Sequence, residues 1–161
     1  MRSSVREISL LALLTAFIAV SGSFKIPSFV PGSEFQLSAP IAVAVCGVFG
    51  VKRYLAAGIG ASLICLMLGT QNPFNVAIAL SFRVVVAMCF YVFGNSKAFY
   101  ILSGPVASAA ARLVLSAFIG QAALALVAAA VPGMIFTAFT APLFASLLRR
   151  ASFLQPAANM H

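Results

Sequence analysis

The stretch NVAIALSFRVVVAMCFYVFG, from Asn75 to Gly94, is apolar almost throughout yet carries Arg83 near its middle. A run of about 20 apolar residues is long enough to cross the hydrocarbon core of a bilayer. A permanent charge in such a run costs about 2.5–3.5 kcal/mol on insertion scales, so its side chain must face protein, water or a ligand. Composition carries the reading to the whole chain. Of 161 residues, 63% are hydrophobic and 7% are charged, against roughly a quarter charged in ordinary globular domains. So few polar side chains cannot cover a water-soluble fold. The chain is expected to be an all-α integral membrane protein in one domain, 1–161.

The net charge of +8 reports topology. Arg2, Arg6, Lys52, Arg53, Lys97, Arg149 and Arg150 fall beside or between apolar segments on one side, leaving Lys25 on the other and Arg83 and Arg112 inside segments. Under the positive-inside rule this places both termini in the cytoplasm of a multi-pass plasma-membrane protein, with no nucleic acid partner. Six transmembrane helices are expected, at about 8–24, 37–49, 54–68, 74–93, 98–119 and 123–148, the last interrupted at Pro132–Gly133. The amino-terminal segment also has the basic start and apolar stretch of a signal peptide; retained, it gives the even number of spans that two cytoplasmic termini require. KIPSFVPGSEFQ reads as an external loop, GVKR and GNSK as cytoplasmic turns and GTQNPFN as an external turn.

Several chemistries lack their residues. Glu7 and Glu34 are the only acidic residues, and there is no aspartate, so paired-carboxylate catalysis and proton relays have no partners. His161 stands alone at the end, and Cys46, Cys65 and Cys89 show no metal or redox spacing. GVFGVKR lacks the gap and the GK[ST] ending of a phosphate loop. No catalytic residue, metal or bound cofactor is expected, and energy for uphill transport would come from partners or an ion gradient.

The arginines are the candidate ligand groups. Asn75, Ala79, Arg83 and Ala87 recur every fourth residue and share a helix face, as do Ser108, Arg112, Ser116 and Gly120. Arg83 lies nine residues beyond Phe74, or ~14 Å at 1.5 Å per residue. Arg112 lies fourteen beyond Ala98, ~21 Å, which leaves ~9 Å to the outer edge of a ~30 Å core. The two guanidiniums are expected to meet in the outer half of the membrane. No carboxylate lies within the spans; only Glu34, in the external loop, could reach over. Two readings stand: the arginines bond carbonyls freed at kinks and loop ends, or they bind an anionic solute, whose carboxylate or phosphate suits a guanidinium fork. Lys25, Gln36, Asn72 and Asn75 lie near the outer face and are expected to tune selectivity.

Ser9, Ala12, Ala16, Ala19 and Ser23 form a continuous small-residue seam on the first helix, a surface that lets helices approach closely in lipid. Gly58 and Ser62 in AGIGAS offer a shorter one.

Taken in order, SLLALLTAFIAV with Ala12 and Ala16, a proline-containing external loop, FQLSAPIAVAVCGVFGVKRYLAAGIGASLICLMLG and the terminal APLFASLLRR resemble the substrate-binding S component of energy-coupling factor transporters over nearly the whole length. The resemblance implies six helices, an external pocket capped by loops and high-affinity capture of a vitamin or similar micronutrient in a prokaryotic cell membrane. It also implies a transmembrane coupling subunit and two cytoplasmic ATPases, which use the ATP. Family members present a small-x3-small surface of the first helix to the coupling subunit; Ala12 and Ala16 match it, flanked by Ser9 and Ala19. The absence of tryptophan argues against a thiamine-type pocket. A glycine-rich GPTGGY-like biotin-type signature and an amino-terminal metal-type histidine are also absent, so the substrate is left unassigned. The other reading is a small self-sufficient oligomeric transporter or channel for an anionic solute; its signature, a membrane carboxylate or a repeated half, is missing.

Overall fold

The computed structural model describes residues 2–23, 25–27, 34–71, 73–119 and 123–153. Six helices follow in chain order: α1 Arg2–Ser23, α2 Ser38–Phe49, α3 Val51–Met67, α4 Pro73–Phe93, α5 Lys97–Ile119 and α6 Ala123–Phe153. Three are long and apolar enough to cross a membrane, over Val5–Ser23, Pro73–Phe93 and Val127–Ala151.

The shortest helix is the centre of the fold. In α2 every residue from Pro40 to Gly47 is buried, and all five other helices pack around it. A helix apolar on all sides can satisfy every face only in such a position. Because it meets protein rather than lipid on its flanks, its 12 residues need not span the bilayer. The chain then reverses in a single residue. Gly50, at φ +86° and ψ 163°, occupies a region that is essentially glycine-only. Its N–H donates to the Cys46 carbonyl at 3.0 Å, and its own carbonyl accepts from Tyr54 N at 3.1 Å.

Polar contacts knit one end of the bundle. Arg53 at the start of α3 donates through Nε and Nη2 to Glu7 Oε1 on α1, at 3.2 and 3.0 Å. Tyr100 at the start of α5 donates to Asn95 Oδ1 at 2.6 Å, and Arg149 near the end of α6 donates to both, at 2.8 and 2.9 Å. The Arg149 guanidinium also lies 5.5 Å from the Tyr100 ring centroid. Both ends of the described chain therefore share one end of the bundle with the cationic turns.

Three expectations are corrected. The first external loop holds a short antiparallel pair, β1 Lys25–Pro27 with β2 Glu34–Gln36, registered Lys25 to Gln36, Ile26 to Phe35 and Pro27 to Glu34, so the architecture is six helices plus a hairpin. Three-residue strands are too short to display an alternating pattern, and the prolines and glycine of KIPSFVPGSEFQ read as loop. Helix α1 starts at Arg2 rather than near residue 8, because apolarity marks the span and not the helix. Helix α6 runs unbroken through Pro132 and Pro142. Proline removes one backbone donor, but in apolar surroundings water offers the backbone no alternative partner, so the helix is retained. Thr137 and Thr140 turn their hydroxyls back onto the Gly133 and Phe136 carbonyls, at 2.8 and 2.6 Å.

Candidate functional site

Tyr54, Gly58, Ser62 and Cys65 succeed one another along a single buried face of α3, at the helical spacings that align side chains. Facing them across the bundle is Arg83 of α4, only 7% exposed. Its Nη1 donates to Ser62 Oγ at 2.7 Å. The small face is what admits it: a Cβ on Gly58 would overlap the Nε and Cδ atoms of Arg83. Neither Tyr54 Oη nor Arg83 Nε has a hydrogen-bond partner. Among the described residues no carboxylate lies against Arg83; Glu7 is engaged by Arg53 at the bundle end. The result is a buried cation with one neutral hydrogen bond and its Nε left without a partner.

Arg112 stands apart. It is half-buried on α5, in the stripe with Ser108 and Ser116, whose Oγ donates to the Leu113 carbonyl at 2.7 Å. The surface where α4 meets α5 is a crevice of about 270 Å³ lined by Pro73, Phe74, Ala77, Ile78, Ser81, Ala111 and Val114. Neither arginine lines it, and the described hydrogen bond of Arg83 runs to Ser62 on α3. Gly58 and Ser62 offer it room and an acceptor on that side.

The outer candidates divide. Asn75 is half-buried in the first turns of α4. Lys25, Gln36 and Glu34 sit on the hairpin, with Lys25 and Gln36 directly paired; their side chains, and Asn72 and Gly120 altogether, lie outside the described residues. Gln71 is a group that sequence reasoning missed. Its carboxamide Oε1 is buried without a partner, and its Nε2 lies beside Gly22 of α1, near Ser38 of α2. A glutamine in a polar turn gives no signal of burial. Tyr54 was missed for a similar reason, since a tyrosine near a helix start reads as an interfacial anchor.

The α1 seam is uncovered. Ser9, Ala12 and Ala16 are exposed and Ala19 is half-buried, whereas Leu14, Ile18 and Ser21 face the core. The seam serines bond their own helix, Ser9 Oγ to the Val5 carbonyl at 2.9 Å and Ser23 Oγ to Ala19 at 3.2 Å. Cys46, Cys65 and Cys89 are buried free thiols, and no cluster of three metal-ligating side chains exists among the described residues.

The chain is 46% identical over 135 residues to Protein BioX of Lysinibacillus sphaericus, a match that covers 84% of this chain and 81% of that protein. No family model matches the sequence, and no solved structure matches the fold.

Proposed function

Because the chain belongs to the BioX family, we propose that it is a membrane-embedded binding subunit for the uptake of a small vitamin that carries an acidic group, biotin or a close relative. The name of the relative, which shares its prefix with biotin, supports the vitamin class. The observation that carries the acidic group is Arg83, a cation buried between helices with Ser62 as its hydrogen-bond acceptor and, among the described residues, no carboxylate against it. A carboxylate is the partner a guanidinium accepts best, through short charge-assisted bonds. The glycine-rich signature of biotin-type S components is absent, so this pocket would recognise its ligand with other groups.

As in S components, binding is proposed to be separate from energy supply. The chain has no nucleotide cradle; two cytoplasmic ATPases would act through a transmembrane coupling subunit docked on the exposed Ala12–Ala16 seam. No bond is made or broken by this chain. It is neither an enzyme nor dependent on a cofactor of its own.

Uptake tests the reading. Radiolabelled biotin should enter a biotin-uptake-deficient bacterium only when this chain is expressed together with a coupling subunit and its ATPases. The purified chain should bind biotin by itself. Absence of binding to the purified chain would sink the substrate assignment, and uptake without the ATPases would favour a self-sufficient transporter.

A further inference from the structure

We infer that Ser62 is a second ligand-binding group, donating its own hydroxyl proton to the carboxylate that Arg83 holds; the inference rests on the binding function proposed above. The first ground is the distance between the two side chains. Ser62 Oγ accepts from Arg83 Nη1 at 2.7 Å, so an acceptor set against one group is within reach of the other. The second is a donor left unspent. A serine hydroxyl has one O–H to give besides the lone pairs with which it accepts. Helical serines elsewhere in the chain give theirs to their own helix: Ser9 to the Val5 carbonyl, Ser21 to Ile18, Ser116 to Leu113 and Ser146 to Leu143. That is the common course for a hydroxyl within a helix. Ser62 departs from it, since among the described residues its bond crosses to α4 and none returns to α3. At 3% exposure the hydroxyl is also shielded from water, and a buried donor without an acceptor calls for a partner.

The third ground is how the pair is assembled. Gly58, one turn before Ser62, makes room for the Cδ and Nε atoms of Arg83, which brings the guanidinium to the level of Ser62. α4 packs less extensively on α3 than on α5, so the pair lies on the less closely held flank of α4. A carboxylate accepts only, through two oxygens, and its bonds are strongest with a charged donor. Arg83 supplies the charge. Ser62 supplies a second donor beside it, and the two together suit an acid better than either alone. Binding then exchanges one neutral contact, guanidinium to hydroxyl, for two contacts to an anion.

Equilibrium binding of biotin to the purified full-length chain tests this. Ser62→Ala should lower affinity about tenfold, the range lost with one buried hydrogen bond to a charged group, and Ser62→Thr, which keeps the hydroxyl, should retain most of it. An Arg83→Met background, titrated to millimolar biotin, separates a ligand contact from a tether. It leaves no guanidinium to hold, yet Ser62→Ala should still cost a further severalfold. Thermal melting confirms that each variant is folded. Ser62→Cys, similar in size but a weak donor, replaces an alanine chain that does not fold, with the same loss expected. A folded Ser62→Ala or Ser62→Cys chain of wild-type affinity overturns the inference. So does a loss that vanishes in the Arg83→Met background, which would leave Ser62 a support for Arg83 alone. A wild-type chain that binds no biotin overturns the function proposed above and this inference with it.

Discussion

Arg83 Nη1 and Ser62 Oγ meet at 2.7 Å across the α3–α4 interface, and this bond anchors a charge that nothing else among the described residues neutralises. A neutral hydroxyl compensates only part of the desolvation of a guanidinium. The site is therefore poised to gain from an anion, and its response to substitution separates a receptor from a strut.

Arg83→Gln keeps a donor and removes the charge. If Arg83 holds the ligand's acid, affinity should fall by about 1.5–3 kcal/mol, roughly tenfold to over a hundredfold, as for the loss of a charged hydrogen bond. Arg112→Gln should cost less, because Arg112 lies outside the Tyr54–Gly58–Ser62 face that lodges Arg83. Isothermal titration of both variants at equal folded yield decides; an Arg112→Gln loss as large as that of Arg83→Gln would count against the assignment.

Gly58→Ala places a methyl where the Arg83 side chain lies. Overpacking of this kind costs about 1–3 kcal/mol. The guanidinium should also leave Ser62, so ligand affinity falls along with melting temperature. An unchanged melting temperature in a thermal scan would show that α3 and α4 can separate more easily than their packing implies.

Ala12→Leu with Ala16→Leu puts bulk on the exposed α1 seam. Close helix approach in lipid depends on small residues, so the pair should weaken capture by a coupling subunit while ligand binding by the isolated chain is retained. Co-purification yield, measured beside ligand affinity, reads both; wild-type yield would remove the seam from the interface.

Glu7→Gln breaks the ion pair with Arg53, whose side chains are 43% and 54% exposed. Solvent-exposed pairs contribute about 0–1 kcal/mol, so the melting temperature should hardly move. A drop of many degrees would mean that the α1–α3 contact at this end is held chiefly by charge.

The two levels of information divide along physical lines. Sequence alone determined the helical class, because apolar runs between glycine and proline turns satisfy their own backbone best as helices, and with 7% charged residues it pointed to a membrane, which three long apolar helices support. It also singled out Arg83 and the α1 seam, since a charge in an oily run and a lane of small residues are both visible in one dimension. What it could not show was which face meets which. Helical spacing put Arg83, Ala87 and Asn75 on one side of α4, but whether that side met α3 or α5 depended on packing of the five other helices around α2. Hydrophobic patterning carries little of that choice when nearly every face is apolar. Tertiary structure decided it through shape: Gly58 and Ser62 leave the space that a guanidinium fills. The same packing buried the Gln71 carboxamide, a polar side chain in a polar turn whose enclosure arises from α1 and α2, more than thirty residues away along the chain.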